Sequence, residues 1–205
     1  MDRTKRTYPL ALLILKLSIH PYYTDCDVVI ISAEIEMPRI LSDAEIQQLL
    51  QEQKPLPPNW ATKLRFRRKS QEAFDQRDCP VQGSKGHEFR LILRSNHLHP
   101  QDFSVLLVFK DADGTEYILR RHNGSHPSKH TNEYEKRHNL PNAELPICFH
   151  RHLATERYQG AGLRIDGYAE RANDYNDIQT AQGAMVRDAR LILPLNSQLS
   201  MLGDN

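Results

Sequence analysis

The alternation of apolar and polar residues predicts an antiparallel sheet in the middle of the chain. Residues 88–94 alternate with period two, which is typical of a strand with one buried face. Residues 103–110 are almost wholly apolar, which indicates a central strand. The sequence Asp-Ala-Asp-Gly at 111–114 predicts a tight turn, so residues 115–121 should return antiparallel. Residues 146–153 predict a further strand.

Helix signals precede this sheet region. Ser42 predicts an N-cap, and Glu45, three residues later, completes a capping box. Leu41 and Ile46 form a hydrophobic staple around that cap. The prolines of residues 54–58 end the helix, because proline cannot continue it. The apolar stripe of this helix consists of Ile46, Leu49 and Leu50.

A second helix is predicted after the sheet, over residues 177–193. Gly183 lies in its middle and lowers its helix propensity. Its apolar stripe consists of Ile178, Met185, Ala189 and Ile192. Together these elements predict an α+β fold class: an antiparallel sheet with an N-terminal helix and a C-terminal helix in a single compact domain.

A basic segment lies between the first helix and the sheet. Residues 60–70 alternate and predict a strand with an apolar face and a basic face that includes Lys63, Arg65 and Arg67. Such charges protect a sheet edge, or they contact phosphate groups of a substrate, and the sequence leaves both interpretations open. Residues 78–86 predict a loop.

Composition limits the class of protein. The 205 residues suffice for one core with an appended end, and the net charge of +1 gives no global attraction for nucleic acid. Three widely spaced cysteines argue against a disulfide scaffold and favour a reducing compartment, so we expect a cytoplasmic protein that does not enter a membrane. The predicted organisation is an N-terminal extension (1–36), an α+β domain (37–195) and a flexible tail (196–205).

The N-terminal extension has several interpretations. Residues 9–19 are apolar and follow basic residues, as in a signal peptide, but Lys16 interrupts them and residues 22–25 do not resemble a cleavage site. The apolar run is too short to span a bilayer. Residues 28–32 are compatible with a buried strand. Alternatively, translation begins at Met37 and the upstream segment is not part of the native protein.

Candidate chemistry concentrates in the histidines. The chain has ten, and six of them fall between residues 122 and 152. Strand alternation over residues 146–153 places Cys148, His150 and His152 on one face. Residues 123–130 contain Gly124 and Pro127 and predict a loop that carries further histidines. If the strands 115–121 and 146–153 are neighbours, this loop folds over the His150 and His152 face, and five histidines converge with Arg120 or Arg121.

Three functions compete for this cluster. Paired imidazoles can cleave RNA without metal, one as base and one as acid, while arginine stabilises the developing charge. Alternatively, histidine and cysteine side chains bind zinc, although no paired metal-binding motif supports this. In the third interpretation the histidines belong to the surface of a binding module. The zinc alternative would draw its ligands from His130, Cys148, His150 and His152.

The order of these motifs resembles a known group of proteins. A strand ends in His122-Asn123-Gly124, further histidines follow, and His150-x-His152 precedes Thr155-Glu156-Arg157-Tyr158. This run resembles a family of small bacterial and phage proteins of uncharacterised function and, more distantly, the TumE-type toxins of toxin–antitoxin operons. The resemblance covers residues 41–193, and its sharp part is 122–158. The long insert before His150 and the N-terminal extension depart from the pattern.

The resemblance implies a ribonuclease of the barnase–EndoU–colicin–RelE group and a site within this run. It implies RNA as substrate, no metal cofactor and an inhibitory antitoxin-like partner. We therefore predict a metal-independent, toxin-like endoribonuclease, with a metal-binding or non-catalytic interaction domain as the alternative. The predicted catalytic residues are Arg121, His122, His126, His130, His150, His152 and Tyr158. The predicted substrate-binding residues are Lys63, Arg65, Arg67, Arg120 and Asn123.

Overall fold

The structure is a computed structural model that describes residues 39–65 and 74–195, together with two short N-terminal strands. Its contacts divide the chain into two units, Met1–Arg39 and Ile40–Asn205. In the first unit, β1 (Lys16–Leu17) pairs antiparallel with β2 (Ala33–Glu34). The strand suggested at residues 28–32 and the side chain of Arg67 lie outside the described residues.

The second unit contains the helices that the structure describes and the main sheet. Its helices are α1 (Asp43–Gln51), α2 (Trp60–Lys63), α3 (Glu133–Arg137), α4 (Glu156–Gly160) and α5 (Ile178–Asp188). Its strands are β3 (Lys54–Pro55), β4 (Phe74–Gln82), β5 (Glu88–Asn96), β6 (Phe103–Lys110), β7 (Glu116–Asn123), β8 (His130–Thr131), β9 (Glu144–Leu145), β10 (His150–Leu153), β11 (Tyr168–Arg171) and β12 (Leu191–Ile192).

Six strands form an antiparallel sheet in the order β11-β10-β7-β6-β5-β4. The predicted α+β class is therefore confirmed, with the apolar strand β6 inside the sheet as its sequence indicates. The predicted helix after Leu41 is also confirmed, since the Ser42 hydroxyl accepts a hydrogen bond from the Glu45 amide at 3.2 Å. Ile46, Leu49 and Leu50 of α1 are buried.

The C-terminal helix is shorter than its sequence pattern predicts. Asp177 and Thr180 form a capping box at its start, and the helix ends at Asp188. Arg190 then adopts a positive φ of 49°, which redirects the chain into β12, parallel to β3. Ile192 is consequently exposed rather than part of the apolar stripe. The buried side chains of α5 are Ala181, Ala184 and Met185.

Two predictions about the basic segment and its neighbour are wrong. Residues 60–63 form the short helix α2 rather than a strand, because Trp60 is buried by a helical turn that follows the prolines. Residues 78–82 belong to β4 rather than to a loop. Cys79 and Val81 of β4 are buried against the core, and Pro80 is tolerated because β4 lies at the edge of the sheet.

One face of the sheet, which we call the helix face, packs against α1 and α5. It carries the main core, which includes Val105 and Leu107. The other face, which we call the second face, carries a smaller apolar group of Ile92, Leu106 and Val108.

A β-bulge in β7 controls which side chains reach each face. Leu107 pairs with Arg120 and Val108 with Ile118, so Leu119 is an extra residue on β7. The alternation of β7 therefore shifts by one residue beyond the bulge. His122 pairs with Val105 of the helix face, whereas Arg121 pairs with Leu106 of the second face. The shift places Arg120 and His122 on the helix face, and Arg121 and Asn123 on the second face.

Candidate functional site: a buried histidine cluster

Strands β7 and β10 are direct neighbours, which is the condition on which the predicted convergence of the histidines depended. Their antiparallel register pairs Asn123 with His150 and Arg121 with His152. Paired residues point to the same side of a sheet, so these four side chains share the second face. The prediction that His150 and His152 lie on one face is therefore confirmed, and their ring centroids are 5.0 Å apart.

The segment after β7 brings two more imidazoles to this face. The His130 ring lies 5.6 Å from His150 and 4.6 Å from His152, centroid to centroid. The His126 ring lies 5.1 Å from His150 at an interplanar angle of 81°. We call these four residues, His126, His130, His150 and His152, the histidine cluster. The loop closes over the strand as the sequence analysis expected.

Three members of the cluster converge on one point. One ring nitrogen from each of His130, His150 and His152 lies within 4.8 Å of the other two. Among the residues that the structure describes, no other group of three or more histidine, cysteine or carboxylate side chains lies close enough together to hold a metal ion. Cys148, which the zinc alternative included, is not part of it.

Hydrogen bonds on the outer side of the strand rings define their tautomers. His150 Nδ1 lies 2.8 Å from the Cys148 carbonyl oxygen, and His152 Nδ1 lies 2.9 Å from that of Asp166. A carbonyl oxygen only accepts, so Nδ1 carries the hydrogen in both rings. The Nε2 atoms of the neutral rings are therefore lone-pair acceptors.

His130 is held in the same way with the opposite nitrogen. Its Nε2 lies 3.0 Å from Asn132 Oδ1 and 3.2 Å from the Gly167 carbonyl oxygen. Asn132 is fully buried. Its side-chain Oδ1 accepts a hydrogen bond from the backbone N–H of Ala169 in β11, and its Nδ2 donates one to the Ala169 carbonyl oxygen. These contacts tie His130 to the sheet and leave its Nδ1 as the lone-pair nitrogen. Asn132 was not among the predicted site residues.

Burial keeps these imidazoles neutral. Desolvation lowers the pKa of His150 to about 4, although the hydrogen bond to Cys148 opposes the shift. Desolvation, followed by the charge of Arg121, lowers the pKa of His152 well below its ordinary value. The pKa of His130 is also lowered, mainly by burial. Neutral imidazole is the form that binds metal or accepts a proton.

Asn123 and Arg121 complete the second-face site. Asn123 Nδ2 lies 3.3 Å from both His150 Nε2 and His152 Nε2. Arg121 is mostly buried and lies 2.9 Å from a carboxylate oxygen of Asp166, which also binds Arg164. Burial lowers the pKa of Arg121, while the Asp166 charge opposes that shift.

His122 and Arg120 are not brought to the cluster, because the bulge turns both toward the helix face. The fully buried His122 ring stacks on Tyr175 at 5.1 Å, and its Nε2 lies 3.2 Å from Asp188 Oδ2. Arg151 binds the same Asp188 carboxylate at 3.0 Å and also binds Asp174. We call His122, Arg151, Asp174, Tyr175 and Asp188 the helix-face network.

Other predicted residues also lie apart from the cluster. Tyr158 packs on α3, and its hydroxyl donates to Glu135 Oε2 at 2.5 Å. Burial and the Glu135 carboxylate raise the pKa of Tyr158. Lys63 and Arg65 line a shallow surface hollow of ≈ 260 Å³ with Thr62 and Arg77. Arg77 belongs to β4, which three strands separate from β10 in the sheet.

The fold and the site define an α+β protein with a partly buried histidine cluster on one face of a six-stranded sheet. Comparison with known protein families, with curated proteins and with solved structures found no match. The resemblance to TumE-type toxins therefore remains a prediction from the motifs. Among the described residues, none of the helices has the length and apolar character that a bilayer crossing requires.

Proposed function

We propose that this protein binds a divalent transition-metal ion of the zinc type through His130, His150 and His152. The observation that carries the proposal is the convergence of three imidazole nitrogens within 4.8 Å of one another. Zinc–nitrogen distances of about 2.0–2.1 Å in a tetrahedral site place the ligand nitrogens roughly 3.4 Å apart. Small rotations and shifts of the rings, of about 1 Å or less, suffice to reach that spacing.

The outer contacts of the rings support metal binding. Metal-bound histidines usually donate their second nitrogen to a carbonyl or carboxylate oxygen, which fixes the tautomer and the direction of the lone pair. His150 and His152 each donate Nδ1–H to a backbone carbonyl, and His130 donates Nε2–H to Asn132 and Gly167. These hydrogen bonds therefore fix which nitrogen of each ring carries the lone pair. Because the rings are already neutral at pH 7, metal binding releases few protons.

A three-histidine site leaves one coordination position free, which is typical of catalytic rather than structural zinc. A metal there would polarise a bound water or a substrate oxygen. The chain's own contribution is to hold the three imidazoles, exclude bulk water and place His126 beside His150. This arrangement supports hydrolysis of a phosphodiester, and the resemblance makes RNA the substrate class to test first.

A second candidate function is the metal-independent RNA cleavage expected from the sequence. The contact that favours it joins half-buried His126 to buried His150, two imidazoles whose ring centroids are 5.1 Å apart. His150, with its pKa near 4, is neutral and would accept the proton, and His126 would donate one. Arg121 would stabilise the phosphate charge, but its bond to Asp166 reduces that capacity. The antitoxin-like partner belongs to this candidate alone.

One experiment separates the candidates. Purified protein is stripped with EDTA, its metal content is measured, and RNA cleavage is followed with and without added Zn²⁺. The metal proposal predicts about one ion per chain after reconstitution, and loss of that ion in His152→Ala but not in His99→Ala, an exposed histidine outside the cluster. Cleavage that persists in EDTA, with no ion bound at micromolar Zn²⁺, would replace the metal proposal with the metal-free ribonuclease.

A further inference from the structure

Asn123 is a buried polar side chain between the histidine rings, and its orientation follows from theirs. Only 6% of the residue is exposed. His150 and His152 both present lone pairs at Nε2, so the Asn123 group that lies 3.3 Å from both must be the NH₂ donor. Its Oδ1 then faces the Ser104 hydroxyl, which donates to it at 2.8 Å.

This orientation excludes Asn123 as a fourth metal ligand. Asparagine coordinates cations through its carbonyl oxygen, and here Ser104 engages that oxygen on the side away from the rings. The two NH₂ contacts are longer than the usual 2.9–3.0 Å, so they are weak. A metal that takes both Nε2 lone pairs would release the NH₂ group, which would remain beside the ion as a donor without an acceptor.

The charges around the cluster favour an anion as that acceptor. Asp166 accepts a hydrogen bond from His152 through its backbone carbonyl, and its carboxylate is shared by two guanidinium groups, Arg121 and Arg164. These three groups carry a net charge of +1, from two positive charges and one negative. The contacts of the three converging rings include no carboxylate within the described residues. A divalent ion held by neutral imidazoles adds two further positive charges.

From these observations we propose that the fourth coordination position takes an anionic oxygen ligand of the phosphate type, with Asn123 Nδ2 as its hydrogen-bond donor. The inference rests on the proposed metal site and names the chemical class of ligand that this site accepts. Ser104 is the positioning residue, because it fixes the amide so that NH₂ and not the carbonyl oxygen faces the ion. Arg121 contributes its charge from the same face of the sheet.

Cobalt-substituted protein tests the inference, since the visible absorption of Co²⁺ reports its coordination sphere. The full chain is loaded with Co²⁺ and titrated with inorganic phosphate, with perchlorate at equal ionic strength as the weakly coordinating control. Phosphate should change the spectrum with saturation, and perchlorate should not. In Asn123→Ala, phosphate affinity should fall about 10-fold or more, the range expected for a hydrogen bond to a charged group. Cobalt affinity should be unchanged or higher.

Ser104→Ala is a second variant, which retains the Asn123 side chain but removes the hydroxyl that orients its amide. It should weaken phosphate binding by a smaller factor, about 3-fold to 10-fold, because the amide is no longer fixed. A wild-type spectrum that does not respond to phosphate would overturn the inference while leaving the metal site intact, as would equal phosphate affinity in both variants and wild type. Failure of Co²⁺ to bind wild-type protein would instead overturn the metal site, and this inference with it.

Discussion

The two faces of strands β7 and β10 carry histidines in opposite chemical settings. On the helix face, His122 lies beside the Asp188 carboxylate, which also binds Arg151. On the second face, His150 and His152 contact carbonyl oxygens and the Asn123 amide. The charged groups of the helix face pair with one another. On the second face, the Nε2 lone pairs of His150 and His152 both face the Asn123 NH₂ group.

This difference separates the structural role of the helix-face network from the ligand-binding role that we propose for the histidine cluster. Burial would raise the pKa of the Asp188 carboxyl, but His122 and Arg151 outweigh it and hold that pKa below its usual value. The network links β7 and β10 to α5, so its charges stabilise the sheet–helix packing. The histidine cluster has no such charge compensation, and the Nε2 acceptors of His150 and His152 have only the weak contacts with Asn123, which a ligand can replace.

The largest expected effect is loss of metal affinity on removal of a second-face ring. His152→Ala should weaken Zn²⁺ binding by more than about 100-fold, since even changes to groups that only support metal ligands cost 10–100-fold. Isothermal titration calorimetry with Zn²⁺ measures this change. His99→Ala serves as the matched control because His99 is exposed and outside the cluster. Equal affinities in the two variants would place the ion elsewhere.

A substitution in the helix-face network should lower the stability of the protein and leave its Zn²⁺ affinity unchanged. Asp188→Asn removes the carboxylate shared by His122 and Arg151. Removal of one partner from a largely buried ion pair should lower the free energy of unfolding by on the order of 3 kcal/mol. Urea denaturation measures the loss. A variant that is as stable as wild type but has lost Zn²⁺ affinity would contradict the structural role of the helix face and would indicate that metal binding depends on it.

Mild acid should destabilise metal-free protein through the cluster. The pKa of His150 is about 4 in the folded protein and 6.5 for an ordinary histidine, so the unfolded chain binds more protons between these pH values. Stability is therefore complete above pH 6.5 and falls as the pH drops toward 4. At pH 5 the loss from His150 alone is about 2 kcal/mol. Denaturation of wild type and His150→Gln at pH 7.5 and 5 measures it; a loss of equal size in both would assign the acid sensitivity to other groups.

Tyr158 should show the smallest effect, and only on stability. Tyr158→Phe removes the hydroxyl donor to Glu135, which retains Arg157 at 2.5 Å. The free energy of unfolding should decrease by about 1.5 kcal/mol. Zn²⁺ affinity and any RNA cleavage should not change, because Tyr158 contacts no ring of the cluster. If the variant had wild-type stability but reduced RNA cleavage, Tyr158 would be a catalytic residue, as the sequence resemblance implies.

The fold was predictable where sequence and packing agree locally. The Ser42 cap and the apolar stripe sufficed for α1, strand alternation for β5, the apolar run for β6, and the turn at residues 111–114 for the return of β7. Strand β4 was missed because Pro80 reads as a loop residue and only its position at the sheet edge makes it acceptable. The short elements α3, α4 and β11 were missed because few residues carry their signal.

The site was predictable in part for the same reason. Alternation in β10 placed His150 and His152 together, and the loop residues 123–130 pointed toward them. His122 could not be excluded from sequence, because the bulge at Leu119 depends on how β7 pairs with β6. The roles of Asn132 and Asn123 were also hidden, since both depend on hydrogen bonds across strands.

The most direct test of the central claim is a crystal structure of the protein soaked in Zn²⁺, with anomalous data collected on both sides of the zinc absorption edge. We predict one strong anomalous peak about 2.0–2.1 Å from His150 Nε2, His152 Nε2 and His130 Nδ1. A map with full-occupancy zinc elsewhere and no peak between these three nitrogens would contradict the assignment of the histidine cluster as a metal site.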